Sequence, residues 1–395
     1  MTKVHLGKKN FMAAAIFASI ALGAGLAFFY VRDPDIFSIV KPASRLASST
    51  NTSNKDVPEL SAILNSQDQN GQLKATRALA ERVGPEQTLE ILKTSGLPFT
   101  GEGHFAVHQV GYVAYEKYGV DALLHCRDYF LYACYHGAMI EAANKEDGFP
   151  TIAAMADKCR GTQPRFVQCV HAAGHGILAI WNYEVPDALK TCDKLFEGEK
   201  QYEGSLTYCH SGVFMENIFG VHDWGHDKPS PNRKWLSDQD IYFPCDKFSE
   251  KYQEGCWQNQ ATRIYQMVGG DVAKTAKACN AADNKYKAVC FDNLARQIHP
   301  MTSGEVQKVY SMCAIVGDDW KDTCVTVNAG SYFSVGDGPT AIRVCNGASE
   351  GAREGCFATV VGYTVSGEFS LQEKKSLCNL MEQTYAQNCL KSLGG

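Results

Sequence analysis

The stretch Cys279-Asn-Ala-Ala-Asp-Asn-Lys-Tyr-Lys-Ala-Val-Cys290 decides the fold, because its outline recurs along most of the chain. The sixteen cysteines fall into eight successive pairs, whose first members are 33, 33, 53, 34, 34, 32 and 33 residues apart. Such a period is typical of stacked helix pairs, each too small to bury an apolar face alone. The predicted pairs are Cys126 with Cys134, Cys159 with Cys169, Cys192 with Cys209, Cys245 with Cys256, Cys279 with Cys290, Cys313 with Cys324, Cys345 with Cys356, and Cys378 with Cys389.

Each pair is expected to form a disulfide that joins the end of one helix to the start of the next. In the quoted repeat, helical spacing runs from Asp271 to Cys279 and resumes from Cys290 to Ile298. A closed loop of this size contributes about 2–3 kcal/mol in the chain-entropy model, which helps helices too short to be stable alone. Zinc sites use two cysteines two to four residues apart, and Cys-x2-Cys does not occur in this sequence. We therefore predict an all-α solenoid of about eight disulfide-stapled helical hairpins.

The N-terminal segment predicts export, in agreement with the disulfides. Three lysines precede an apolar run from Phe11 to Val31, which is about the length that a membrane-spanning helix needs. Lysines before such a run favour an orientation with the N-terminus inside. A cleavable signal is the alternative, since Gly25-Leu-Ala27 offers small residues at a cleavage site. Disulfides require an oxidising compartment, so both readings place the repeats in the periplasm or extracellular space.

Composition divides the chain into four parts. Residues 1–31 are predicted to be a cytoplasmic tip and transmembrane anchor, and 32–57, rich in Ser, Thr, Asn and Pro, a flexible stalk. Residues 58–100 return to helical spacing without cysteine and are predicted to cap the array, whereas 101–395 are the repeat domain. The formal net charge is −5, without a stripe of basic residues, which argues against a nucleic-acid partner. The expected partners are the membrane, through the N-terminal helix, and a protein or peptide on the solenoid surface.

Histidine is unevenly distributed over the repeats. Nine of the eleven histidines lie between His104 and His226, whereas the five Cys-x10-Cys repeats contain only His299. If histidine served the repeat fold, it would recur with the cysteines. Two His-x3-His pairs project from single helix faces, because residues four apart lie one above the other. The candidate metal ligands on adjacent helices are His104, His108, His136, His171, His175 and His210, and the candidate proton acceptors are Glu141 and Glu216.

A third His-x3-His pair, His222 with His226, lies in the only large insertion, residues 219–242. Glycine, proline and tryptophan in this stretch indicate an ordered loop. Long loops within compact arrays are usually functional. Two interpretations follow from the sequence: the insertion folds over the histidine face as a lid, or it projects from the array as a loop that docks a partner.

Neutral imidazoles on neighbouring helices favour a transition metal such as zinc, copper or iron, and the ligand types do not choose among the three. Three alternatives remain at this point. The histidines can be structural, any haem would be non-covalent because Cys-x2-Cys-His is absent, and the chain can be a non-catalytic scaffold. With an open coordination position, the same site would suit an oxidoreductase or a metal-assisted hydrolase.

Three segments resemble motifs of exported, Cys/His-rich bacterial proteins of uncharacterised function. These segments are Cys134-Tyr-His-Gly137, Cys169-Val-His-Ala-Ala-Gly-His-Gly176 and Gly212-Val-Phe-Met-Glu-Asn217. The architecture is also loosely similar to cysteine-stapled Sel-type and tetratricopeptide-like repeats over residues 101–395. The resemblance implies export and repeats, and it implies no particular activity.

Overall fold

The computed structural model describes residues 57–66, 68–97, 102–145, 148–160, 165–196, 198, 205–220, 233–367 and 369–394. In this part of the chain all regular structure is helical, as predicted. The predicted anchor, the stalk up to residue 56 and the two lid histidines, His222 and His226, lie outside it. None of the helices in the described ranges has the length and apolar composition needed to cross a bilayer.

Eighteen α-helices and two 3₁₀ segments make up the described structure. The α-helices are α1 Glu59–Asn65, α2 Gln69–Val83, α3 Pro85–Ser95, α4 Glu102–Tyr118, α5 Tyr129–Ala143, α6 Gly148–Lys158, α7 Arg165–Ile180, α8 Val185–Phe196, α9 Ser205–Phe219, α10 Glu250–Met267, α11 Val272–Ala281, α12 Asn284–Thr302, α13 Val306–Val316, α14 Lys321–Ser334, α15 Gly338–Asn346, α16 Glu350–Ser366, α17 Leu371–Cys378 and α18 Gln383–Ser392. The 3₁₀ segments are Gly119–His125 and Cys245–Lys247.

The eight disulfides form with the predicted pairing, and no cysteine is left free. Each pair spans a Cα–Cα distance between 5.4 Å (Cys345 to Cys356) and 6.5 Å (Cys159 to Cys169). All sixteen cysteines are buried. In the regular repeats the first cysteine lies near the end of one helix and the second in the early turns of the next, as in α11 and α12. The predicted staple is therefore confirmed.

The helices that carry the second cysteine of each pair, which we call the B helices, are α5, α7, α9, α10, α12, α14, α16 and α18. Each B helix packs against the next one in this order, and α4 extends the row at its N-terminal end by packing against α5. The first-cysteine helices α11, α13, α15 and α17 form a second row. This side-by-side order is that of a helical-repeat stack. Residues 58–97 contain three helices, α1 to α3, and α2 packs on α4.

Buried asparagines join neighbouring B helices in the regular repeats. The Asn259 side chain donates to the Ser211 carbonyl on α9 at 3.1 Å, and the Asn328 side chain donates to the Ala295 carbonyl on α12 at 3.1 Å. Asn293 accepts a hydrogen bond from the backbone N–H of Thr262 at 2.8 Å. Pairing of this kind satisfies buried amides that would otherwise be costly. One such link lies at each of three successive helix contacts.

The histidine-bearing B helices pack differently, through glycine. A Cβ atom added to Gly137 on α5 would lie 2.1 Å from the His108 carbonyl oxygen on α4, and one added to Gly111 on α4 would lie 2.2 Å from the Cys134 carbonyl oxygen. The same reciprocal contact joins α7 and α9. There the distances are 2.3 Å for Gly174 and 2.1 Å for Gly212. These backbones approach more closely than any residue with a side chain would allow.

A lysine of the N-terminal cap lies within electrostatic range of the last repeat. The pKa of Glu373 on α17 is lowered, first by hydrogen bonds to Ser370 and also by the charge of Lys93 on α3.

We expect Gly137→Ala to destabilise the protein by about 3 kcal/mol or more, because backbone of α4 must move to admit the methyl group. Gly362→Ala on α16 is the matched control, since Gly362 is exposed and has no atom within 4 Å of its Cβ position. There, alanine should be neutral or stabilise the helix by up to about 1 kcal/mol. Urea unfolding measures both. Equal effects of the two substitutions would contradict the close-packing account.

Candidate metal centre

Five of the six predicted histidine ligands come together on three helices, α4, α5 and α7, that pack side by side. His104 and His108 lie one turn apart on α4, His171 and His175 one turn apart on α7, and His136 lies on α5 between them. The neighbouring ring centroids of this five-histidine cluster are 4.7 to 5.7 Å apart. The glycine contacts set this spacing, because the α4–α5 pair meets at Gly137, the residue next to His136.

The cluster is withdrawn from solvent. Its five side chains are exposed by only 2 to 6 %, and the same two helices, α4 and α5, also carry a second buried apolar group of Phe105, Tyr112 and Ile140. Burial disfavours the charged imidazole and lowers the pKa of His104 to about 3. It lowers that of His171 to about 3 as well. These rings are therefore neutral at physiological pH, which is the form that binds a metal.

Ring nitrogens in the cluster face one another at metal-ligand spacing. Nε2 of His104 lies 3.0 Å from Nε2 of His108, and Nε2 of His171 lies 3.2 Å from Nε2 of His175. Two nitrogens bound tetrahedrally to one zinc ion would be roughly 3.3 Å apart, given the usual bond length. His104, His108 and His136 form one group, which we call the N triad. His136, His171 and His175 form a second group, the C triad, so His136 belongs to both. In each triad the ligand atoms lie within 4.8 Å of one another.

Hydrogen bonds fix the tautomers of the C triad. Nδ1 of His175 lies 2.9 Å from a Glu216 carboxylate oxygen, so this nitrogen carries the proton and donates it. His171 has a hydrogen bond to the backbone of Tyr208 that raises its pKa, as donation to a carbonyl does. Because Nε2 of His171 faces His175, we assign this donor to Nδ1. Both facing Nε2 atoms then carry lone pairs, and two lone pairs at 3.2 Å repel unless a cation lies between them.

His136, the member common to both triads, has an unpartnered nitrogen. Its Nε2 atom is buried and has no hydrogen-bond partner. A buried polar atom without a partner costs about 1–3 kcal/mol, and such atoms are rare in native proteins. The His136 ring stacks on His175 at 4.8 Å. Both buried triads can therefore hold a metal ion, and the C triad lacks the internal proton that would otherwise bridge its facing nitrogens.

Two carboxylates at equivalent places in their repeats have different surroundings. Glu216 is fully buried and accepts hydrogen bonds from His175 and from the Tyr183 hydroxyl, 2.5 Å away. A carboxylate that orients a ligating histidine in this way is the usual second layer of a metal site. Glu141 instead pairs with Lys145 on its own helix at 2.8 Å. Glu216 is thus placed to orient His175, and Glu141 is not part of either triad.

The sequence did not point to Tyr183 or to the backbone carbonyl of Phe130. Tyr183 follows α7 in a left-handed conformation, with φ of 64°, which turns the chain back toward Glu216. The Phe130 carbonyl accepts from Nδ1 of His104 at 2.6 Å. Left-handed backbone is uncommon for residues other than glycine, asparagine and aspartate, so the printed sequence carries no reliable signal for either contact.

His210, predicted as a ligand, lies in a different network. Its Nε2 atom is 3.0 Å from Asp193 on α8, and Asp193 also accepts from Tyr252 at 2.7 Å and pairs with Lys251 at 2.6 Å. The side chain of His210 points toward α8 and α10, where its ring contacts Tyr252. His210 therefore belongs to neither triad, because the helix turn that carries it faces the next repeat.

Of the predicted lid, residues 219–220 and 233–242 lie within the described ranges. Lys234 pairs with Glu184 at 2.5 Å, and the Asn217 side chain donates to the Trp235 carbonyl at 2.8 Å. Glu184 follows Tyr183, and Asn217 follows Glu216. The returning end of the insertion is therefore anchored beside the residues that hold Glu216.

Comparison with protein-family models, curated proteins and solved structures gives no match for this chain. The functional assignment consequently rests on the geometry of the cluster.

We expect Glu216→Gln to weaken metal binding about 10- to 100-fold, because the amide cannot accept from both His175 and Tyr183 with the strength of a carboxylate. Glu141→Gln is the matched control, since it changes a buried carboxylate at the equivalent position of α5. Competition with a chromophoric chelator measures both affinities. The assignment of Glu216 is wrong if the two variants bind equally well.

Stability of the metal-free protein should fall in acid. In the unfolded chain histidine titrates near pH 6.5, whereas the pKa of His104 and of His171 in the folded protein is about 3. Below pH 6.5 the unfolded chain therefore binds more protons, and the free energy of unfolding decreases by about 1.4 kcal/mol per pH unit for each such residue. Urea unfolding at pH 7 and pH 5 with a chelator present tests this. The decrease should be smaller for His171→Asn, and identical decreases would contradict the burial of a neutral imidazole.

Proposed function

We propose that this chain is an extracytoplasmic helical-repeat protein that holds a resident transition-metal ion at His136, His171 and His175. The observation that carries the proposal is the pair of facing Nε2 lone pairs in the C triad, beside the unpartnered Nε2 of His136. A cation placed among these three nitrogens removes the repulsion and satisfies the orphan atom at once.

The ligand set favours zinc, copper or iron. Imidazole suits these borderline metals, whereas magnesium and calcium prefer oxygen ligands. Glu216 would keep His175 in the required tautomer, as outer carboxylates do in known metal sites. Burial of the neutral rings limits competition from protons. Elemental analysis of the purified protein would identify which of the three metals is bound.

The proposed role of the ion is to fix the N-terminal repeats in place. The C triad joins α5 to α7, and Glu216 extends the connection to α9. Ligand side chains exposed by no more than 6 % leave little room for a substrate larger than water. Metals that stabilise a fold are typically four-coordinate, so water would complete the three histidine ligands of this buried site. The second half of the array, which carries no comparable cluster among its described residues, would serve as a protein- or peptide-binding surface.

The geometry does not suit haem at the His-x3-His pairs. A porphyrin lies as a flat plate between its two axial ligands, whereas the paired Nε2 atoms are 3.0 and 3.2 Å apart and in direct contact. Tight packing between α4, α5 and α7 at the glycine contacts leaves no slot for such a plate.

A metal-dependent enzyme is the second candidate, and it rests on the insertion. The anchoring of Trp235 by Asn217 brings the returning end of the loop beside Glu216. A coordination position left open to substrate beside Glu216 would suit such chemistry. Deletion of residues 221–232, including His222 and His226, should then alter turnover or metal affinity while the disulfides remain intact. A loop that docks a partner would instead leave the metal content unchanged.

Purified without a histidine tag, the protein should contain at least one equivalent of transition metal by elemental analysis. The His171→Ala/His175→Ala variant should lose the ion of the C triad, because two of its three ligands are removed. The control is His125→Ala/His299→Ala. His125 stacks on Tyr118 at 3.6 Å and His299 contacts Tyr332, and neither belongs to a triad.

Metal should also stabilise the fold. With free metal at 100 times the dissociation constant, the expected gain is about 2.7 kcal/mol, seen as a higher melting temperature that the double variant does not show. The proposal is wrong if the wild-type protein remains metal-free after reconstitution, or if the His171→Ala/His175→Ala variant retains all of its metal.

A further inference from the structure

The N triad repeats the design of the C triad on the other side of His136. His104 and His108 stand one helical turn apart, as His171 and His175 do, and the centroid distances from His136 to these four rings are 5.4, 5.7, 5.6 and 4.8 Å. Nδ1 of His104 donates to the Phe130 carbonyl, so its Nε2 lone pair faces Nε2 of His108. A metal ion in the C triad makes no use of this second pair, which a single proton on His108 or a second ion can bridge.

The backbone that orients His104 is strained. Phe130, Leu131 and Tyr132 are consecutive non-glycine residues with φ of 54°, 55° and 61°. A left-handed conformation costs roughly 1–2 kcal/mol for each such residue. Strain of this kind persists where the surrounding structure requires it and is concentrated at functional sites. Its local result is the 2.6 Å contact that holds the Phe130 carbonyl against His104.

We propose that the five-histidine cluster is a binuclear centre, in which a second transition-metal ion binds His104 and His108 and the His136 ring bridges the two ions. An imidazole ring has two nitrogens on opposite sides. When His136 gives one nitrogen to each ion, its remaining N–H proton is released to solvent, and a single negative charge then lies between two cations. This inference rests on the proposed function for the first ion and adds a second site to it.

The test is a titration of the metal-free full chain with Cu²⁺ in a weakly competing buffer, followed by electron paramagnetic resonance. Wild-type protein should take up two ions, and both double variants, His104→Ala/His108→Ala and His171→Ala/His175→Ala, should take up one. Two copper ions joined through one imidazole ring couple magnetically, so the integrated signal of the loaded wild type should fall well below two spins. Each double variant should show one full spin.

Two further variants keep the outcome decisive. His136→Ala should abolish the coupling, and His222→Ala/His226→Ala should keep both ions, since the third His-x3-His pair lies in the insertion. Circular dichroism and the count of intact disulfides establish folding, and single His108→Gln replaces the double variant if that one does not fold. If the His108→Gln variant binds one ion fewer than the wild type, this result supports the proposal in the same way.

Each contrary result has a distinct meaning. Uptake of one ion that only the His171→Ala/His175→Ala variant loses would overturn the binuclear centre and leave the proposed function standing. Two ions with two full, uncoupled spins, or loss of one ion in the His222→Ala/His226→Ala variant, would overturn the bridge. Uptake of no ion would overturn both the centre and the proposed function.

Discussion

A disulfide between the end of one helix and the early turns of the next is the constraint on which this structure depends. Many of its helices are short, such as α11 with 10 residues and α17 with 8, and helices of this length are marginal in water. Each bond closes a small loop in the unfolded chain and fixes a hairpin that then has one apolar face to bury against its neighbours. Because the bonds recur once per repeat, they distribute stability along an array whose buried apolar residues form one continuous core from Leu60 to Cys389.

Within this common scaffold, two kinds of contact join the B helices. In the C-terminal repeats, asparagine side chains donate to or accept from the neighbouring backbone, as Asn328 does with Ala295. In the N-terminal repeats, glycines allow the backbones themselves to touch, as at Gly137 and Gly212. The closer approach brings side chains on adjacent helices within reach of one ligand. The cluster of imidazoles therefore occurs where the glycines do.

Burying five imidazoles is unfavourable unless their polar atoms find partners. Several Nδ1 atoms do find them, for example in the Phe130 carbonyl and the Glu216 carboxylate. The Nε2 atoms of the paired histidines instead face one another. The Nε2 atom of His136 has no hydrogen-bond partner. Metal sites have the same arrangement. A hydrogen bond to one nitrogen of a histidine ring determines which nitrogen is free to bind the metal, and the free nitrogens converge on one point.

The sequence by itself determined the repeat, the pairing of the cysteines and the helix faces that carry His104, His108, His171 and His175. Spacing decides these features, because a helix and a short disulfide loop are local structures. Only the tertiary structure decided that His210 turns away to Asp193, that Glu216 and not Glu141 holds a histidine, and that Tyr183 takes part. Equivalent positions in two repeats, such as Glu141 and Glu216, look alike in sequence. Their different roles depend on which neighbour packs against each helix, and on left-handed turns at Phe130 and Tyr183 that no residue type in those places announces.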